Sequence, residues 1–170
     1  MKKILTLLIP ALLSCLTVGA QDVLNEIVKT SLSIVNDTTQ DINMRKTAVF
    51  KYDALSYMRS KVLQPAELLS DNVDLNQVNA KIKMLNEQAL AMNDYINLYF
   101  KRLNDTKKKN RAMVAYYFKQ ATVDHPLFND SDIETTRAYF NRDDYPVQFC
   151  IDCDWKASLD FIRKQDWSNK

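Results

Sequence analysis

Glycine is almost absent from this chain, and its absence excludes several kinds of site. The 170 residues contain a single glycine, Gly19. Glycine adopts positive φ angles at no cost and lets the backbone approach a ligand closely. The P-loop, the GxGxxG dinucleotide motif and the GxSxG nucleophile elbow all depend on glycine, so none of them occurs here. Tight β-hairpin turns, which favour Asn-Gly or Asp-Gly, are also unexpected.

Histidine is as scarce as glycine. The single histidine, His125, is followed directly by Pro126. Zinc sites that use several histidines are therefore excluded, and nothing near His125 indicates a Ser-His-Asp arrangement. From these absences we predict that the protein is not an enzyme and that it holds no metal or other cofactor.

The first twenty residues have the pattern of a secretory signal. A short basic start, Lys2 and Lys3, precedes an apolar run, and small residues end at Ala20. We predict cleavage between Ala20 and Gln21, so that residues 1–20 are a signal peptide and the mature protein is periplasmic or secreted. The apolar run is shorter than the roughly 20 residues that a permanent membrane helix needs, and no later segment is apolar enough to span a bilayer.

A lipid anchor is the less favoured alternative for the same segment. The stretch LLSC, which ends at Cys15, resembles a bacterial lipobox. Leu13 fits that pattern poorly at its second position, and the small residues before Gln21 offer a better cleavage site. We therefore expect simple cleavage.

Loss of the signal would change the charge balance. The whole chain has 23 basic and 21 acidic residues, and residues 1–20 contain two of the basic residues and no acid. The mature chain would then carry 21 of each sign. Since no overall positive field remains to attract phosphates, we do not expect nucleic acid as a partner.

Helical periodicity dominates the rest of the chain. From about Asp74 to Leu103, apolar residues recur alternately three and four positions apart, which is typical of a buried helix face. This seam consists of Leu75, Val78, Ile82, Leu85, Ala89, Met92, Ile96, Tyr99 and Leu103. Leu90, Tyr95, Leu98 and Phe100 are expected to widen it, so that the helix packs against more than one neighbour.

Three further long helices are predicted at about 22–36, 41–63 and 106–122. The second is expected to bury Met44, Ala48, Tyr52, Leu55 and Val62. Pro65, Pro126 and Pro146 fall between the periodic segments, where helices must stop. The chain therefore predicts an all-α fold: a single domain over residues 21–170, with an antiparallel four-helix bundle at about 22–123 and a C-terminal loop and short-helix extension at about 124–170.

Local signals refine the helix ends. The two NDT stretches, at 36–38 and 104–106, are expected to cap the helices that follow them, and asparagine is expected to replace glycine at helix C-termini. In the extension, short helices are predicted at about 132–140 and from Asp154 onward. The second should bury Trp155, Leu159 and Ile162.

The stretch CIDC, residues 150–153, allows four interpretations. Cys150 and Cys153 could form a structural disulfide, remain two unpaired thiols, act as a redox pair or clip a zinc ion. Paired cysteines in the cell envelope tend to be oxidised. A redox site requires its first cysteine at a helix N-terminus, whereas here a helix is predicted only after both cysteines. Because Asp152 and Asp154 should also raise the thiol pKa by repulsion, we predict a structural role.

Two charged regions stand out. The stretch from Lys101 to Arg111 contains six basic residues and one acid, and it predicts either a charged turn or a partner surface. Its basic residues are Lys101, Arg102, Lys107, Lys108, Lys109 and Arg111. Residues 124–160 contain nine acids and three basic residues, so the two regions could also face each other within the fold. The acids of NDSDIE, at 130, 132 and 134, resemble the start of a calcium loop, but helix capping explains them better.

The sequence supports one leading hypothesis about function and two alternatives. The leading hypothesis is an exported, non-catalytic helical module that binds or supports an unidentified protein, glycan or small molecule. A thiol-disulfide protein using Cys150 and Cys153 is one alternative. A small-molecule carrier with an aromatic bundle core, formed by the doublets around Tyr99, Tyr117 and Tyr139, is the other.

The predicted signal can be tested by mass. We expect the intact mass of the protein from the cell envelope to correspond to a chain that starts at Gln21. A mass that fits a diacylglycerol group on an N-terminal Cys15 would instead establish a lipoprotein.

Overall fold

The computed structural model describes residues 22–64 and 73–167. About 70% of this part of the chain is helical and none of it forms strand, so the predicted all-α class is confirmed. The α-helices are α1 Val23–Asn36, α2 Ile42–Val62, α3 Leu75–Asp105, α4 Arg111–Asp124, α5 Ile133–Thr136 and α6 Trp155–Lys164, and a 3₁₀ turn at Lys108–Asn110 precedes α4. The predicted signal peptide, including Cys15, lies outside the described residues.

Within residues 22–64 and 73–167, no helix combines the length and the apolar composition that crossing a bilayer requires.

The longest helix, α3, lies at the centre of the fold. It contacts α1 and α2 as well as α4 and α6, while α1 also contacts α2, and α4 also contacts α6. The expectation that this helix packs against more than one neighbour is therefore confirmed. Its buried face includes Ala89, Met92 and Ile96, each 1% exposed or less.

The predicted seam of α3 is correct over most of its length and wrong at two positions. Leu85 is 2% exposed, whereas Leu75 is 53% exposed and Leu90, expected to widen the seam, is 51% exposed. Leu75 is the first residue of the helix and lies before the packed region. Leu90 directly follows the seam residue Ala89 in sequence, but the helical turn rotates it to the solvent side.

Aspartate caps five of the six α-helices in the described chain. The carboxylates of Asp22, Asp41, Asp74, Asp132 and Asp154 each accept a hydrogen bond from a first-turn backbone N–H of the helix that follows. Such caps satisfy amides that have no partner within the helix. The caps predicted for α5 and α6 are among them.

The NDT stretches, in contrast, do not cap the helices that follow. Asp37 accepts from the backbone N–H and the hydroxyl of Thr39, at 3.0 and 2.6 Å, within the turn after α1. Thr106 ends α3, and Asn110 precedes α4 without a side-chain cap. Both predictions were wrong because these residues close the preceding helix instead.

The left-handed backbone conformation is found at one asparagine. Asn129, with φ of 53°, is the single non-glycine residue with positive φ in the described chain. It lies in the loop between α4 and α5 and not at a helix end, so the expected asparagine C-caps are absent from the described helices. The helix predicted at about 132–140 is also shorter than expected, because turns replace it after Thr136.

The C-terminal extension is part of the main core. Val147, Phe149, Trp155 and Ile162 are each at most 1% exposed and belong to the same cluster of buried residues as α2 and α3. Helix α6 begins after its Asp154 cap and buries Trp155, Leu159 and Ile162, as predicted. The extension therefore completes the core and does not merely cover a finished bundle.

Aromatic rings fill the centre of this core. Phe50, Tyr95, Phe149 and Trp155 pack mostly edge to face, with neighbouring centroids 5.4–6.4 Å apart. This geometry is favourable for aromatic pairs. The Tyr95 hydroxyl donates to the Phe118 carbonyl at 2.6 Å, so the polar end of this buried ring is satisfied.

Burial of α3 predicts a contrast between two leucines. Leu85→Ala should lower the free energy of unfolding by about 2–5 kcal/mol, because it leaves a cavity in a packed interface. The exposed Leu90→Ala is the matched control and should change stability by less than about 0.5 kcal/mol. Chemical denaturation of both variants provides the measurement, and equal losses would contradict the burial of one face only.

Candidate functional site

The two cysteines of CIDC are separate, buried thiols. Cys150 and Cys153 are not bonded to each other, so the disulfide considered from the sequence is absent from this structure. The Cys150 thiol donates to the Asp152 carbonyl at 3.6 Å, and the Cys153 thiol lies 3.2 Å from the Ser158 hydroxyl. Each sulfur therefore faces a different oxygen partner.

The environment of both thiols opposes redox catalysis. Burial raises the pKa of Cys150, and it raises the pKa of the more deeply enclosed Cys153 well above its ordinary value. The direction agrees with the prediction, but the main cause differs. Loss of hydration contributes more than repulsion by Asp152 and Asp154. A thiol with a raised pKa forms little of the thiolate that attacks disulfides.

The aspartate between the two cysteines organises the neighbouring loop. Asp152 is 3% exposed. Its Oδ1 accepts from the backbone N–H groups of Leu127 and Phe128, at 3.1 and 2.8 Å, and its Oδ2 accepts from that of Asp130 at 2.8 Å. Buried carboxylates are costly unless they are hydrogen-bonded, and here three amides of one loop supply the bonds.

The same loop is tied to α2 through Asp130. Its carboxylate accepts from the Tyr57 hydroxyl at 2.9 Å and pairs with the Lys61 ammonium at 2.5 Å. The Lys61 ammonium, the Asp132 amide and the Tyr57 hydroxyl lower the pKa of Asp130 to about 2. Asp130 thus links the loop before α5 to α2, and Asp132 caps α5, so both acids of NDSD have structural partners. No cluster of three or more potential metal ligands occurs within the described ranges.

The basic stretch lies on the surface around the turn between α3 and α4. Lys101, Lys107, Lys108, Lys109 and Arg111 are exposed, while Arg102 is half-buried with its guanidinium 5.4 Å from the Trp167 ring centroid. Asp130 and Asp144 form ion pairs with Lys61 and Lys46 of α2, and Asp144 also pairs with Arg142. These pairs do not bring the acidic C-terminal region onto the basic turn.

A cavity of about 550 Å³ opens between α1, α2 and α3. Pockets of roughly 300–1,000 Å³ hold small organic ligands in many proteins. Two other hollows, of about 140 and 40 Å³, lie beside Pro146 and Asn86. The 550 Å³ cavity is therefore the candidate site.

Burial divides the lining of the cavity into an inner part and a rim. The buried side chains are Ser31 and Ala48, and the half-buried ones are Ile27, Ile34, Thr47, Lys51, Asn93 and Phe100. The exposed rim consists of Glu26, Thr30, Asp41, Asn43, Met44 and Asn97. The cavity thus combines aliphatic and aromatic carbon with hydroxyl, amide and ammonium groups.

Lys51 is the one cation among the described residues that line this cavity. Its ammonium donates to Asn93 Oδ1 at 2.6 Å, across the contact between α2 and α3. Burial lowers the pKa of Lys51. Any attraction from neighbouring carboxylates is therefore too weak to offset the loss of hydration.

Sequence reasoning missed this site. Lys51 falls within a predicted helix, and Asn93 and Asn97 are polar residues that do not belong to the predicted apolar seam, so nothing in the sequence marks them. The candidate site residues from the sequence are Cys150, Cys153 and the basic stretch at 101–111, and none of them lines the cavity. No local pattern joins Lys51 to Asn93, because their proximity depends on how α2 packs against α3.

Comparison with known proteins returned no match: no family model, no curated protein and no solved structure is significantly similar to this chain.

The role of Asp152 can be tested by an almost isosteric change. Asp152→Asn replaces one acceptor oxygen by an NH₂ group facing a backbone N–H, and it should cost about 1–3 kcal/mol of unfolding free energy. Asp160→Asn, at an exposed position of α6, is the control and should leave stability essentially unchanged. Faster alkylation of Cys150 and Cys153 in Asp152→Asn alone would show that the loop has loosened, and unchanged stability and alkylation would contradict its structural role.

Proposed function

We propose that this protein is an exported, non-catalytic helical module whose cavity between α1, α2 and α3 binds a small molecule. The observation that carries the proposal is the lining of that cavity. Its inner part offers buried Ser31 and Ala48 together with a half-buried ammonium, Lys51. Concave sites that combine apolar walls with a few convergent polar groups are the usual form of ligand pockets.

The proposal includes the antiparallel four-helix bundle as its scaffold. Short connections join α1 to α2, over residues 37–41, and α3 to α4, over residues 106–110. Such connections favour antiparallel neighbours. In this arrangement the cavity lies where α1 and α2 meet α3, and the aromatic core lies between α2, α3 and the start of α6.

The two alternative functions have less support. Burial and raised pKa values of Cys150 and Cys153 weigh against a thiol-disulfide protein. A carrier with an aromatic core would need space among its rings, but Phe50, Tyr95 and Trp155 pack against one another. In the part of the chain that the structure describes, Phe100 is the one aromatic residue that lines the cavity.

A protein partner is a second part of the proposal. Five exposed cations around the turn between α3 and α4 form a surface suited to an acidic partner: Lys101, Lys107, Lys108, Lys109 and Arg111. This surface, with the half-buried Arg102 at its edge, is the proposed contact for an acidic protein partner. A charge-dependent contact of this kind would weaken with added salt.

Ligand binding in the cavity can be tested with a neutral solvatochromic dye. We expect Nile red to bind the mature chain saturably, one dye per chain, with a blue shift in emission. Ala48→Phe should abolish this binding, since it places a ring in the inner part of the cavity. Leu90→Phe adds the same ring at an exposed position of α3 outside the cavity and should leave dye binding unchanged.

Folding must be checked beside binding. Circular dichroism should show the same helix content in all variants, and Asn97→Trp, at the exposed rim, serves as a second filling variant if Ala48→Phe unfolds. Dye binding that persists unchanged in both filling variants would reject the cavity as the binding site.

A further inference from the structure

We infer that the ligand of this cavity is a monocarboxylate with an apolar body, held by the Lys51 ammonium and the Asn93 amide. The inference rests on the proposed function and specifies its ligand class. It combines three features of the cavity: paired donors in its wall, apolar side chains around them, and carboxylates at the rim.

The donors lie side by side on two helices. The Lys51 ammonium carries three N–H donors, and Asn93 Oδ1 accepts one of them at 2.6 Å. Because Asn93 accepts through its oxygen, its NH₂ group is left to donate. An ammonium and an amide NH₂ within reach of each other match the two oxygens of a carboxylate, and charge-assisted bonds of this type are the stronger class.

The half-buried position of the Lys51 ammonium favours an anionic ligand. Lys51 is half-buried in the cavity wall, where loss of hydration disfavours its charged form. A bound anion would restore the interaction that water no longer provides. A lysine whose only role was solubility would extend its ammonium into bulk water instead.

Apolar side chains define the body of the ligand. Ile27, Ile34, Ala48 and Phe100 line the cavity together with Lys51. They come from all three helices, so carbon faces the cavity from several sides. Burial of an aliphatic chain against them contributes roughly 25 cal/mol per Å² of apolar area.

The rim limits the charge of the ligand. Glu26 of α1 and Asp41, the cap of α2, line the exposed edge, and Asp41 already accepts from the Asn43 and Met44 amides. Among the described lining residues Lys51 is the one cation, and Asp41 places a carboxylate at the rim, so a singly charged anion is tolerated better than a phosphate monoester or another dianion.

Displacement of Nile red distinguishes the ligand class from the site itself. Decanoate and decan-1-ol, each below its aggregation limit, share the same alkyl chain and differ in the carboxylate. At pH 7.5 we expect decanoate to displace the dye at a concentration about tenfold lower than decan-1-ol does, the size expected for a charge-assisted hydrogen bond.

The variant Lys51→Met removes the charge and retains most of the side-chain volume. It should abolish the preference for decanoate and leave decan-1-ol unchanged. Lys51→Gln is the second variant, and both should melt at or above the temperature of the parent, since a partly dehydrated charge is removed. Lower melting of both variants with an intact decanoate preference would assign Lys51 a structural role and overturn the inference.

The remaining outcomes separate the two proposals. Equal displacement of the dye by decanoate and decan-1-ol would overturn the carboxylate inference and leave the cavity as a ligand site. The same conclusion would follow if neither compound displaced the dye while Ala48→Phe still abolished dye binding. Displacement by neither, with dye binding that Ala48→Phe and Asn97→Trp leave unchanged, would overturn both.

Discussion

Burial of α3 from two sides is the constraint on which the other helices depend. Helices α1 and α2 pack on one part of its surface and α4 and α6 on another. Gln88 of α3 binds the start of α6 by two hydrogen bonds. Its NH₂ group donates to Asp154 Oδ1 at 2.9 Å, and its side-chain oxygen accepts from the Trp155 backbone N–H at 2.8 Å. A buried amide with both functions satisfied fixes the start of α6 against α3.

Carboxylates satisfy many backbone N–H groups that have no partner within a helix. Aspartates cap five of the six described α-helices, and Asp152 accepts from three amides of the loop that contains Asn129, the residue with positive φ. From that loop, Asp130 reaches Tyr57 and Lys61 of α2. The segment between the cysteines thus connects the C-terminal extension with the first half of the chain, which explains why the extension belongs to the main core.

The two ends of the core differ in how completely they are filled. Around Phe149 and Trp155 the rings are in mutual contact and the polar groups of Tyr95 and Gln88 are paired. Between α1, α2 and α3 the packing leaves a cavity with a partly dehydrated lysine. Departures from complete packing and hydration cost stability, and natural proteins accept such costs mainly at functional sites.

The sequence alone determined the helices, because each depends on local periodicity and on caps within a few residues. It predicted α3 from its seam, α6 from Asp154 and Trp155, and the raised pKa of the cysteines from their acidic neighbours. Tertiary structure decided that Leu90 is exposed and that the two thiols remain separate. It also decided that Met44, expected in the core, lies at the exposed rim of the cavity. It alone placed Lys51 beside Asn93, since residues far apart in the chain meet only where helices pack, and no local pattern encodes that contact.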